Sequence, residues 1–160
     1  MANPSLAMIP SGYKAGTLYS VLPTDGISDF TVDRNSIATR VNEQGLIEEV
    51  AVNVPRLDYS DGGCPVLLTE PQSTNLYLNS QTMVTQNITT LASDYTVSFY
   101  GTGTITLSGT YSGVLVGTGA NDLVQLTFTA TAGTLISTVS GTVEEGQCEN
   151  LSYATSRIRT

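Results

Sequence analysis

The sequence contains no histidine and no tryptophan. Without histidine there is no Ser-His-Asp triad, no histidine-based zinc site and no side chain whose ordinary pKa lies near neutral pH. Tryptophan offers a large amphipathic ring for stacking, so its absence counts against a strong lectin. Charge is scarce as well: Asp, Glu, Lys and Arg together make up 12% of the chain, about half the usual share. The six basic residues, Lys14, Arg34, Arg40, Arg56, Arg157 and Arg159, form no run, and the net charge is −8. An acidic chain repels phosphate backbones and anionic lipid, which argues against nucleic acid or a membrane as a partner. Cysteine is nearly absent. Cys64 and Cys148 make no CxxC pair, and the expectation is two buried, unbonded thiols in a protein folded in a reducing cytosol. The opening MANPSLAMIPSGYK carries no basic leader, and no apolar run approaches the roughly 20 residues that span a bilayer. A chain without an export address is expected.

What fills the space is Thr, Ser, Asn and Gly beside a 40% hydrophobic content, enough for a packed core. Thr suits a half-exposed pleated surface, while Gly and Asn suit turns. Residues 1–15 hold two prolines and no helical spacing, which reads as an extended arm. GTLYSVL at 16–22 reads as a strand closed by the turn Pro23-Thr24-Asp25-Gly26. IATRVN and LIEEVAV flank Glu43-Gln44-Gly45, a hairpin with Gly at the left-handed position. RLDY is a short strand, followed by the Ser60-Asp61-Gly62-Gly63 turn into CPVLLTEP.

From about residue 75 the texture changes. NLYLN, MVTQNIT, DYTVSFYG, TITLSG, YSGVLVG, DLVQLTFTA, TLISTVSG and TVEEGQCE recur at roughly 8–12 residues, the rhythm of a β-sandwich. Alternation sets Tyr95, Val97 and Phe99 on one face with Thr96 and Ser98 on the other, and Val124, Leu126 and Phe128 on one face with Gln125, Thr127 and Thr129 facing out. The predicted fold is all-β: an N-terminal arm with short hairpins over 1–72, then a compact antiparallel, jelly-roll-like sandwich over 73–160. Hydroxyl-rich strands leave sticky edges, which pairing with sister chains would hide.

No motif supplies chemistry. Gly101-Thr102-Gly103-Thr104-Ile105-Thr106 begins like a dinucleotide fingerprint, but it lies between two strands and ends on Thr where Gly or Ala belongs. Glu48-Glu49 and Glu144-Glu145 are strand neighbours pointing to opposite faces, unlike a glycosidase pair, and read as solvated. Asp58 and Asp61 beside Gly62-Gly63 match no calcium loop and read as a turn. No catalytic, cofactor or metal site is predicted, and the chain is not expected to be an enzyme. Tyr19, Tyr59, Tyr77, Tyr95, Tyr100, Tyr111 and Tyr153 read first as core or interface residues and second as glycan contacts.

Two stretches carry a resemblance. SLAMIPSGYKAGTLYSVLPTDG, then ATRVNEQGLIEEVAVNVPRLDYSDGGCPVLLTEPQSTNL, together spanning residues 5–76, resemble the N-terminal module of phage virion proteins described as head spike or head fibre proteins. Departures are Ser73, where the family typically reads Arg, and Val66, where it often reads Ser. VEEGQCENLSYATSRIRT resembles the ending of phage fibre modules built on a carbohydrate-binding-module-like jelly roll. Gln147, Glu149, Ser152, Tyr153, Ala154, Thr155 and Ser156 follow that pattern. Cys148 stands in place of Leu, consistent with a buried thiol, and Arg157 in place of an aromatic residue. The resemblance implies a virion-surface structural protein, made in the bacterial host cytoplasm and assembled as a homotrimer or similar oligomer. It would attach to the capsid or another virion protein through its N-terminal region, docking by Met8, Ile9, Tyr13 and Leu18, and project the sandwich outward. The alternatives are a host-surface glycan-binding module and a tail-associated fibre or adaptor.

Overall fold

The structure, a computed structural model, describes residues 11–14, 17–20 and 32–160. No helix occurs among them, and every strand pairing is antiparallel, so the fold is all-β. The chain divides into two compact units, residues 1–69 and 70–160.

Among its described residues the first unit has three antiparallel strand pairs. β1 (Ser11–Lys14) pairs with β2 (Thr17–Ser20), setting Tyr13 opposite Leu18. β3 (Ala38–Val41) pairs with β4 (Ile47–Val50). The connection is the Gly-bearing turn that the sequence predicts. Gly45 has φ 77°, a conformation glycine adopts without steric cost, and the Asn42 side-chain oxygen accepts from the Gln44 and Leu46 amides at 3.0 and 2.9 Å. β5 (Leu57–Asp58) pairs with β6 (Val66–Leu67) across the predicted Ser60–Gly63 turn. The Pro23–Gly26 turn lies outside the described residues.

The second unit holds seven strands in two sheets. These are β7 (Gln86–Thr90), β8 (Ser93–Gly101), β9 (Thr104–Gly109), β10 (Gly113–Val116), β11 (Gly119–Ala130), β12 (Gly133–Ser140) and β13 (Val143–Glu149). One sheet has the order β10-β9-β12-β7 and the other β11-β8-β13. Both contribute to a single core. Ile88, Ile105, Leu107 and Leu135 come from the four-stranded sheet, and Tyr95, Val97, Phe99, Phe128, Val143 and Cys148 from the three-stranded one. Such a shared core between two antiparallel sheets is sandwich-like. Phe128 stacks on Tyr111 at 4.2 Å between ring centroids.

Two expectations need correction here. NLYLN is not a strand, and the Asn75 side chain explains why. Its oxygen accepts from the Tyr77 and Cys148 amides, and its nitrogen donates to the Gly146 and Ile158 carbonyls. These bonds do the work of a neighbouring strand, so the backbone need not enter a ladder. MVTQNIT becomes strand only at Gln86. Thr96 and Ser98 lie on the face opposite Tyr95, Val97 and Phe99, as the alternation predicts, and that face is buried too.

Candidate functional site

The two sheets of the second unit present opposite kinds of outer face. On the four-stranded sheet, register places Ser140, Thr104 and Val116 in one row and Thr138, Thr106 and Val114 in the next, with Asn87, Ile136 and Ser108 in a third. Their alternate neighbours Ile88, Ile105, Leu107 and Leu135 are buried, so these rows point away from the core. β7, β9, β10 and β12 contain no charged residue at all. From Glu70 onward the charged residues are Glu70, Asp94, Asp122, Glu144, Glu145, Glu149, Arg157 and Arg159, all on the other sheet or the segments flanking it. Val114 and Val116 are each 57% exposed on edge strand β10. An uncharged surface of hydroxyls and aliphatic side chains on a chain of net charge −8 is the most distinctive exposed feature among the described residues.

The outer face of the three-stranded sheet is instead covered by the segment following β13. Glu149 and Gln147 sit opposite Thr96 and Ser98 in the β13–β8 register, and all four are buried. Thr155 donates from its amide (2.9 Å) and its hydroxyl (2.6 Å) to the Glu149 carboxylate, which also accepts from Gln147 Nε2 at 2.5 Å. The Thr96 hydroxyl donates to the Leu151 carbonyl at 2.9 Å, and the Ile158 amide to Gln147 Oε1 at 2.8 Å. Arg157, 5% exposed, donates to Ser98 Oγ and the Glu145 carbonyl, both at 3.0 Å, with its guanidinium carbon 5.6 Å from the Tyr100 ring centre. Burial lowers the Arg157 pKa from its ordinary value, against the opposing pull of Tyr100, Glu149, Glu145 and Glu70. Glu70 accepts from the Ser156 amide at 2.8 Å and its hydroxyl at 2.6 Å. Buried polar groups are tolerable when partnered in this way. Thr96 and Ser98 therefore hold a polar tail.

Of the residues expected to dock, Met8 and Ile9 lie outside the described residues, and Tyr13 and Leu18 are backbone register partners in the β1–β2 pair. One member of each carboxylate pair is used structurally, while Glu49, Asp61 and Glu144 are exposed. Glu48 pairs with Arg40 at 2.5 Å, and hydrogen bonds from Asn42 and Arg40 hold its pKa below the ordinary value. Glu145 is not a solvated strand residue as expected. It sits at a register shift in β13 with φ 48° and pairs with Arg159 at 2.7 Å. Asp58 is buried too: its carboxylate accepts from the Val41 amide at 2.8 Å and from the amide and hydroxyl of Ser60. Burial raises the Asp58 pKa, but those hydrogen bonds and Arg56 outweigh it and hold it below normal. Among the described residues no group of three or more His, Cys, Asp or Glu side chains is placed to hold a metal ion.

The tyrosines divide. Tyr77 and Tyr95 are in the core; the Tyr77 hydroxyl bonds Ser137 Oγ at 2.8 Å and the Tyr95 oxygen accepts from the Leu91 amide at 2.9 Å. Tyr153 is 47% exposed. The cysteines divide as well. Both are free, but Cys64 is exposed, contrary to the expectation of two buried thiols, because it follows the Gly62-Gly63 turn instead of entering a core. Cys148 is fully buried, and burial, aided by Glu149, pushes its pKa up to about 12. A thiol-specific reagent at neutral pH is expected to modify one cysteine per folded chain and two in denaturant, since the thiolate is the reactive form. Peptide mapping that found Cys148 modified in the native protein would contradict this packing.

The outer sheet face escaped the sequence reading although its signal was present: QNITT, TITLSG, GVLV and GTLISTVS are the charge-free strands, and only register shows them adjacent. The tail network had a weaker signal in Gln147, Glu149 and Thr155, whose partners are revealed only by the fold. No family model, curated protein or solved structure matches the chain.

Proposed function

We propose that this chain is a structural protein of a tailed-phage particle, a head fibre or capsid-decorating protein that assembles with copies of itself on the particle surface and has no enzymatic activity. The particle assignment rests on the motifs in residues 5–76 and at the C-terminal end. The observation that carries self-assembly is the charge-free outer face of the β10-β9-β12-β7 sheet. A body otherwise acidic stays soluble as separate chains, while a neutral face of Thr, Ser, Val and Ile is suited to burial against protein. The resemblance implies a trimer or a similar oligomer, with residues 1–15 as the attachment.

Particles purified from a host expressing the chain without residues 1–15 test the attachment. The deleted protein is expected to accumulate folded in the lysate and to be missing from the particles, as read by mass spectrometry of purified virions. Incorporation at the level of the full chain would contradict the proposal.

A further inference from the structure

We infer that the outer face of the four-stranded sheet is the surface by which one copy of this chain meets another. The inference rests on the self-assembly reading above and names the residues that carry it. Two chains of net charge −8 repel, and opposing like charges across an interface is costly. In the second unit this face brings no charge with it, so a second copy can approach there without stranding a carboxylate. A second copy also fits the chemistry. A hydroxyl is both donor and acceptor, so a face built on Thr104, Thr106 and Thr138 complements its own duplicate, and Val114, Val116 and Ile136 supply the apolar contacts. A nucleic acid would find no cation on these strands. The opposite sheet is not equivalent, because its buried Thr96 and Ser98 already bond the tail.

Thr106 and Thr138 are exposed and lie directly opposite each other in the β9–β12 pair. The test compares Thr106→Glu and, separately, Thr138→Lys with the full wild-type chain by sedimentation equilibrium. Thr138→Lys moves the net charge from −8 to −7, so dissociation of that variant cannot come from greater overall repulsion. Gln125→Glu, on the exposed side of β11, is the control. Wild type and Gln125→Glu are expected at a multiple of the 16.9 kDa chain mass. Each face variant, with its melting midpoint retained, is expected to show a self-dissociation constant raised about 30-fold or more. A single-chain mass for wild type, a wild-type mass for either folded face variant, or equal dissociation of the control would overturn the inference. Loss of the chain from particles with these mass results intact would sink the virion reading and leave the interface standing.

Discussion

Replacing Glu149 by Ala is expected to destabilise the second unit by about 3–5 kcal/mol, the range for breaking a buried charged network from one side. Glu149 is fully buried and accepts three hydrogen bonds, from Gln147 Nε2 and from the Thr155 amide and hydroxyl. Alanine removes that acceptor from all three donors. Gln147 Nε2 and the Thr155 hydroxyl keep longer contacts, at 3.3–3.4 Å, to the carbonyls of Thr155 and Ser156, and each donor left unsatisfied costs about 1–3 kcal/mol. It also leaves the buried Arg157 guanidinium with one fewer counter-charge. The tail then loses one of its anchors on β13, which weakens its hold on the buried Thr96 and Ser98 through Leu151 and Arg157. In a unit of this size each kcal/mol moves the melting midpoint by about 4–8 °C, so a drop of at least ~12 °C is expected by calorimetry. Exposed Glu144 is the internal comparison, where Glu144→Ala is expected to stay within about 0.5 kcal/mol of wild type. A Glu149→Ala loss under about 1 kcal/mol would mean that the tail is not held by this carboxylate.

Gly109→Val should be comparably damaging for a different reason. Gly109 ends β9 opposite Leu135 with φ 91°, and a Cβ there would run into the carbonyl oxygen of Thr134. The backbone would have to leave a conformation that only glycine holds comfortably, and a β-branched residue resists it most. It would also have to part β9 from β12 at the end of their ladder. A cost above about 3 kcal/mol combines the strain of the backbone conformation with the steric displacement, and denaturant titration of the folded chain reads it. Because Leu135 is a fully buried core residue beside this point, the loss should come with a weaker transition and not a local change alone. A variant as stable as wild type would show that the strand end has room to move.

How far the sequence carries can be judged from individual residues. The Gly45 hairpin and the inward set Val124, Leu126 and Phe128 were legible because turn chemistry and two-residue alternation are local properties. The Thr96 and Ser98 environment was not. A hydroxyl facing solvent and one bonded to a distant backbone carbonyl look the same in sequence, and Leu151 lies 55 residues beyond Thr96. NLYLN alternates like a strand, yet Asn75 ties it down with side-chain bonds across 71 and 83 residues. The charge-free face falls between these cases: each strand's lack of charge is visible along the chain, but the β10-β9-β12-β7 order that joins them is long-range.

Self-assembly through that face is tested most directly by an electron cryomicroscopy reconstruction of the purified, assembled full chain. The outer face of β10-β9-β12-β7 should lie buried against a sister chain, with Val114 and Val116 covered and, where the sheets stack face to face, about 10 Å between them. An assembly that left this face open to solvent and joined its copies elsewhere would contradict the account.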